Sequence, residues 1–545
     1  MSTRERYQQS ELVKANSKFS RVRATIESAF YGNNVHEVKS VAEAYELAKR
    51  QPGVIETDLP ILHTSDFGLP VGAKQLVYNH GKILGRTASA RHFVDDPEED
   101  AAALTNSLYE DIYAGHEQKY LKTTVLVGLD ASFSLKAHLM LPEDQAFNLL
   151  SYMLNFRFFD EKEAEMYRKS KLYDEGDLYF YFDPNVTDPA YPNGLAIFDA
   201  PHNCAAVFGL RYFGELKKGT LTLAWALAHR HGYAACHGGE QAFHFEDKKD
   251  KVFAFYGLSG SAKSTLTHAD HDGKYDITVL HDDAYIISRE DSSSVALEPA
   301  YFDKTYDYPA GHHETKYYTT VMNCAVTLDE AGRVLVTEDL RNNNGRVIKS
   351  RYTSANRVDV EENPITALFW IMKDNSLPPV LKVTDPVLAT TLGLTLATKR
   401  TSAENLPKGF DMNTLGIEPF ADPFRAYPVG GDYSDFKDLF TKRGAECYVL
   451  NTDAFCGKNI PKELTLEIIE KLVDDTDQWQ AFGDFAGVSY MPLADYPVDL
   501  EYKQNLRAWM QDRLDWLNMY NGEHPKTPLP EEAKECLEKI VSELK

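Results

Sequence analysis

A two-lobed α/β protein is the fold class this sequence predicts, on three observations. Apolar runs of strand length alternate with stretches of helical periodicity along the chain. One strand, Val252-Phe-Ala-Phe-Tyr256, runs straight into a turn rich in glycine and serine that ends in Lys263-Ser264. The chain also has 545 residues, 43% of them hydrophobic, which supplies a large core; length alone allows three or four domains of ~150 residues or two large lobes. The reading adopted is an N-terminal lobe over residues 1–240 and a C-terminal lobe over 241–545 that carries the turn.

The elements follow in order. The first 75 residues read as helical and connecting segments, with Val41-Ala-Glu-Ala-Tyr-Glu-Leu-Ala-Lys49 placing apolar residues at helical spacing. Thr123-Thr-Val-Leu-Val-Gly-Leu129 reads as a strand. A helix follows over 144–157, where Ala146, Phe147, Leu149, Leu150 and Met153 make a broad apolar face. Gly194-Leu-Ala-Ile-Phe198 and Cys204-Ala-Ala-Val-Phe208 read as strands. The charged run over 246–251 is a solvated turn. Helices begin at Pro461 and Pro530, each with glutamate in the first turn, where an N–H is unpaired anyway and the dipole favours negative charge.

Charge excludes some classes of function. With 58 Lys and Arg against 82 Asp and Glu the net charge is −24, and no basic block is large enough to neutralise a run of phosphates, so nucleic acid is not the expected partner. No stretch has the ~20 apolar residues of a membrane span, and the first ten residues lack the apolar core of a signal peptide. The expectation is a cytoplasmic protein without a membrane partner, as a monomer or a homo-oligomer. Six cysteines without a Cys-x-x-Cys pair read as reduced thiols rather than a disulfide frame or structural zinc.

The chemistry concentrates at Gly257-Leu-Ser-Gly-Ser-Ala-Lys-Ser264. A strand that enters such a loop, followed by a helix, is the setting of a phosphate-binding loop: backbone N–H groups wrap the phosphates, Lys263 reaches the terminal ones, and the Ser264 hydroxyl ligates Mg²⁺. Ser259, Gly260, Ser261, Ala262, Lys263, Ser264 and Thr265 are the expected nucleotide contacts. Ala262 breaks the pattern, because glycine is usual there and a methyl restricts φ. Downstream, Asp276-Ile-Thr-Val-Leu-His-Asp-Asp283 delivers two adjacent carboxylates from an apolar strand. One would reach a nucleotide-bound divalent cation directly and the other through water.

Tyr212-Phe-Gly-Glu-Leu-Lys-Lys218-Gly219 lies upstream, and His237 follows 19 positions after Lys218. With the phosphate loop next in order, the sequence resembles the ATP-dependent phosphoenolpyruvate carboxykinase family, whose motifs read Tyr-Gly-Gly-Glu-Met-Lys-Lys-Gly, a His, and Gly-Leu-Ser-Gly-Thr-Gly-Lys-Thr-Thr-Leu. Gly85-Arg86 resembles its substrate-binding Gly-Arg, Glu298 with Lys304 its Glu-Gly-Gly-x-x-x-Lys segment, Asn344-Gly-Arg346-Val347 its Asn-Thr-Arg-Val arginine, and Leu377-Pro-Pro-Val380 its mobile lid. The resemblance runs from about residue 80 to Asn451-Thr452.

The resemblance implies a substrate lobe, a nucleotide lobe and an active site in a cleft between them. The implied reaction is ATP plus oxaloacetate to ADP, phosphoenolpyruvate and CO₂. It implies Mn²⁺ on Lys218, His237 and Asp283, and Mg²⁺ on Ser264. Arg86 and Arg346 would hold the substrate carboxylates and γ-phosphate, Tyr212 would contact substrate, and Asp282, Glu298 and Lys304 would serve the nucleotide. The departures are Ala262, Ala284 where an acid is expected, Pro299-Ala300 where the family has two glycines, Thr87 to Arg91 in place of Ser-Pro-Lys-Asp-Lys, and no recognisable adenine segment near Arg400, so the metal and substrate residues match better than the purine residues do. Two alternatives therefore stand beside the carboxykinase: a kinase of the same fold acting on another small-molecule or protein hydroxyl, and a nucleotide-binding protein with little turnover.

Overall fold

The computed structural model describes residues 20–81, 84–258, 260–309, 311–342, 344–399, 415–482, 485, 487–498 and 502–544. It divides into two units, one formed by residues 1–227 with 297–355 and the other by 228–296 with 356–545. The expected division at residue 240 was linear, whereas the chain leaves the second unit at residue 296 and re-enters it at 356. Sheet pairing is the reason: strands Tyr301–Lys304, Tyr318–Met322 and Arg346–Lys349 join the sheet that contains Lys74–Tyr78.

The first unit opens with two capped helices. Ser20 accepts from the N–H of Arg23 to start Arg21–Ala29. Ser40 does the same for Glu43 at Val41–Arg50, where Glu43 in the first turn and Lys49 and Arg50 in the last also suit the helix dipole. Its eight-stranded sheet runs from the edge strand Val35–Glu37 through the long antiparallel pair Tyr120–Asp130 and Phe133–Pro142 to Leu178–Asp183, Cys204–Phe208, Leu195–Asp199 and Arg91–Phe93. The expected helix over 144–157 is a 3-10 turn at Glu143–Gln145 and a helix Ala146–Asn155, all ten of whose residues are buried.

The strand Val54–Pro60 departs from the expectation that residues 1–75 are helical and connecting. It is an edge strand of the five-stranded sheet, a place where acids and a proline are tolerated, and Asp58 accepts from the N–H of Val334 at 2.8 Å.

The second unit is built on an eleven-stranded sheet whose centre holds three parallel strands, Lys251–Tyr256, Ala367–Met372 and Glu446–Asn451. Phe253, Phe255, Phe369, Ile371, Tyr448 and Leu450 cover one face and pack against Ile468, Ile469 and Leu472 of the helix Lys462–Val473. The loop at 257–262 leaves the carboxyl end of the first of these strands, the end at which α/β sheets bind ligands.

Next to them runs the long strand Tyr233–His244, which changes partner midway. Its first half pairs with Ala284–Ser288 and its second half with Asp276–His281, with a bulge between Glu240 and Gln241. Among the described residues no helix is long and apolar enough to cross a membrane. All six cysteines are free; Cys204, Cys236, Cys324 and Cys447 are buried, Cys536 is half-buried and Cys456 exposed.

Candidate active site

In the second unit the change of strand partner places three expected site residues side by side. Strands 276–281 and 284–288 both pair with 233–244, so the two residues between them, Asp282 and Asp283, form a corner beside His237. The N–H of Gly238 donates to the carbonyl of Asp283 at 3.1 Å. The corner is held from below by His281, fully buried, whose Nδ1 accepts from the N–H groups of Asp283 and Ala284 at 3.0 and 3.2 Å.

His237 Nε2 lies 3.0 Å from Asp283 Oδ1, and its Nδ1 lies 2.6 Å from the carbonyl oxygen of Ala421. A carbonyl only accepts, so Nδ1 carries the proton there and Nε2 is turned to the carboxylate. A nitrogen lone pair and a carboxylate oxygen this close are compatible only with a proton or a cation shared between them, so the pair fits one side of a divalent-cation site. Among the described residues no three His, Cys, Asp or Glu side chains gather as a metal site.

Asp282 is turned inward. Burial raises its pKa, but His268, whose Nε2 lies 3.5 Å away, the nearby charge of His281 and the Ser264 hydroxyl outweigh burial and hold it well below the usual carboxylate range. It is therefore an ionised group joined to the first turn of the helix Lys263–Thr267, on which Lys263 is buried, Ser264 exposed and Thr265 half-buried.

The loop ahead of that helix is shaped by backbone conformation. Gly260 has φ 85°, and Ala262 has φ 76° and ψ 13°, in the left-handed region where a Cβ is strained. The departure from glycine at 262 thus leaves the turn in the conformation glycine adopts. The N–H of Ser261 donates to the carbonyl of Leu258 at 3.0 Å, and the Thr452 hydroxyl donates to the carbonyl of Ser261 at 3.1 Å. A Cβ on Gly239 would meet the Thr267 hydroxyl at 1.9 Å, so the helix seats directly on the strand that carries His237. Ser259 and Arg400 lie outside the described residues.

Leu377-Pro-Pro-Val380, which resembles a mobile lid, is here pinned to the sheet. Leu377 is fully buried, its carbonyl accepts from the Asn451 carboxamide at 2.7 Å, and that of Pro379 accepts from the Asn451 N–H at 3.1 Å.

In the first unit the structure gathers a second group. Arg346 and Lys304 are direct cross-strand partners. The Gly85-Arg86 segment is tied to the same place, because the carboxamides of Asn344 and Asn323 both donate to the carbonyl of Leu84 and Asn323 also donates to that of Asn344 at 3.0 Å. Arg346 is largely buried, with Nη1 donating to the carbonyl of Gly345 at 3.0 Å, and the Lys304 ammonium donates to the Tyr306 hydroxyl at 3.0 Å.

The Tyr212–Gly219 motif forms the start of the helix Phe213–Arg230. Tyr212, half-buried, sits against Phe302, and Lys218, half-buried, has its ammonium 5.5 Å from the centre of the Trp225 ring. Glu215 is joined to Arg91 at 2.7 Å, so an arginine from the divergent Thr87–Arg91 stretch anchors the motif.

Glu298 corrects an expectation. It has no exposed surface, its Oε1 lies 2.8 Å from the Lys217 ammonium, and its Oε2 accepts from the Asn155 carboxamide at 2.6 Å. Its carboxylate is taken up by this buried pair, and the strand Tyr301–Lys304 that follows it lies in the five-stranded sheet.

The residues that position the His237, Asp282 and Asp283 corner were missed by sequence reasoning: His268 and His281 flanking the aspartates, and the segment around Ala421. The histidines gave only the weak signal of a polar residue closing an apolar run, and Ala421 gave none.

A family model described as phosphoenolpyruvate carboxykinase matches residues 71–482, well over half of the chain. A protein of Aeropyrum pernix named phosphoenolpyruvate carboxykinase (ATP) is 26% identical over 309 residues, covering 54% of this chain and 60% of that relative's length. With the family's motifs falling on the corner, the loop and the helix described above, the chain belongs to the ATP-dependent phosphoenolpyruvate carboxykinase family.

Proposed function

We propose that the protein is a phosphoenolpyruvate carboxykinase that converts oxaloacetate and ATP to phosphoenolpyruvate, ADP and CO₂. The observation that carries this reading is the His237–Asp283 pair, 3.0 Å apart and locked from behind, standing beside a loop whose Ala262 keeps the left-handed conformation of a phosphate-binding turn. His237, Asp283 and Lys218 would hold Mn²⁺, and Ser264 would hold the Mg²⁺ of the nucleotide. Bound there, the cations would neutralise charge developing on the enolate oxygen and on the phosphates.

The side chains have distinct tasks. Lys263 would stabilise charge on the transferring phosphoryl group, and the N–H groups of 260–264 would orient it. Asp282, kept ionised, would hold Ser264 and the water around the nucleotide in place. Arg86 and Arg346 would grip the substrate carboxylates, since their planar forks match a carboxylate in a way that lysine does not. In a protein of net charge −24 such a focused positive group is what draws in a small polyanionic acid. Residues 1–227 with 297–355 would then serve the substrate and 228–296 with 356–545 the nucleotide.

The test is oxaloacetate-dependent CO₂ release by the full-length protein with ATP and Mn²⁺. Turnover that needs all three is the expected result. Phosphate transfer to another acceptor with no CO₂ release would replace the carboxykinase by a kinase of the same fold.

A further inference from the structure

Behind His237 the second unit contains a device that none of the family motifs includes. The carbonyl that holds His237 belongs to Ala421, in a short turn where Phe420 and Ala421 both have left-handed backbones, φ 53° and 55°. Two consecutive residues with side chains do not hold that conformation unless their surroundings over-determine it. Three contacts do so here. The Phe420 ring is stacked on Phe436 with centroids 4.8 Å apart and planes 7° apart, and lies 5.9 Å from Trp370. Arg425 donates through Nη2 to the carbonyl of Pro419, at the start of the turn, at 2.6 Å. The same guanidinium donates through Nε to Asp432 Oδ2 at 2.8 Å, while Asp432 Oδ1 accepts from the Tyr427 hydroxyl at 2.5 Å.

Asp432 is itself buried in the first turn of the helix Val429–Thr441, which is packed on the sheet, so the guanidinium spans from a fixed helix to the strained turn. The order of contacts is continuous: helix, Asp432, Arg425, Pro419 carbonyl, Ala421 carbonyl, His237 Nδ1. Phe424, from the same segment, adds an edge-on ring contact to the imidazole at 5.4 Å.

We propose that Arg425 is a positioning residue for His237, acting through the Phe420–Ala421 turn so that Nδ1 is held as a donor and Nε2 is kept directed at Asp283. A group behind a ligand histidine that fixes which nitrogen is free typically alters cation affinity by ten- to a hundredfold. The consequence for Mn²⁺ rests on the metal-site reading given above; the consequence for the imidazole does not. Only a fork makes both contacts at once, so lysine is a partial replacement and methionine a null one.

The experiment uses the full-length protein as wild type, Arg425→Lys, Arg425→Met and His237→Gln. The first reading is the His237 Nδ1–H signal in ¹⁵N-edited spectra, identified by its loss in His237→Gln and protected from exchange in the wild type by its carbonyl acceptor. The second is Mn²⁺ affinity by equilibrium titration without substrate. The expected result is loss of the protected signal and a fall in Mn²⁺ affinity of about tenfold or more in Arg425→Met, with Arg425→Lys between it and the wild type. An unchanged Nδ1–H signal in Arg425→Met overturns the proposal. If that variant loses its near-ultraviolet dichroism, Arg425→Lys decides by the same signal. Should His237→Gln bind Mn²⁺ as the wild type does, the metal reading fails, while loss of the protected signal in Arg425→Met still upholds the role of Arg425.

Discussion

Glu298 in the first unit and Glu240 in the second are both closed off from solvent, at 0% and 1% exposure, and the two units treat them in opposite ways. Glu298 faces the Lys217 ammonium and the Asn155 carboxamide, a compensated ion pair. No cation is paired with the Glu240 carboxyl among the described residues. Burial drives its pKa well above the usual carboxyl range, the charge of Glu361 adds to this, and the neighbouring Ser294 hydroxyl offsets only part. Glu298 thus keeps its charge beside a paired ammonium, whereas burial favours the neutral form of the Glu240 carboxyl.

The largest effect that would break this comparison is expected at Glu298. Glu298→Ala removes the carboxylate that faces the buried Lys217 ammonium, which costs about 3–5 kcal/mol, so urea unfolding should show a first transition at much lower denaturant. An unshifted transition would mean that Lys217 finds water or another acid.

Lys263→Ala tests the second unit at its loop. It should lower kcat for phosphoryl transfer by about 10²–10³-fold with the dichroism spectrum unchanged, because this lysine serves charge rather than packing. Retained turnover would remove the loop from the reaction.

Glu240→Gln sharpens the contrast with Glu298 through its pH dependence. A carboxyl whose folded pKa is raised contributes its full stability below its unfolded value of about 4.3, and that contribution is lost as pH rises through the folded value. The glutamine variant has no such loss. It should match the wild type near pH 4 and become progressively more stable than it as pH rises toward 8, read as a growing difference in Tm. A difference that does not change with pH would show that Glu240 ionises without penalty.

The smallest effect is Ala262→Gly, which relieves a left-handed alanine and should stabilise the second unit by about 1–2 kcal/mol. It should also hold nucleotide at least as tightly as the wild type. A large loss of nucleotide affinity would show that the methyl group is part of the binding surface.

Much of the arrangement was legible where function repeats a local pattern. The strand before the loop and the apolar run before Asp282 were each readable from a few neighbouring residues, because periodicity and turn chemistry are local. The pairing of Arg346 with Lys304 and the burial of Glu298 were not, since both arise from a sheet that gathers residues 54–78 and 301–349. Ala421 lies 184 positions from His237, and its role is carried by a carbonyl, which every residue possesses. Backbone strain was likewise invisible at Phe420 and hinted at only at Ala262, where a glycine was expected.

The excursion of residues 297–355 into the first unit has a consequence during synthesis. At ~5–20 residues per second, the ribosome must reach about residue 350 before the strand Arg346–Lys349 can complete the five-stranded sheet. By then residues 228–296 have emerged, including the strand Lys251–Tyr256, while its parallel neighbour Ala367–Met372 is still unmade. The nascent chain therefore carries an apolar strand with one side open for the time it takes to make ~100 further residues. The early pairings available to shield it are antiparallel ones with 233–244, the strand that also bears His237.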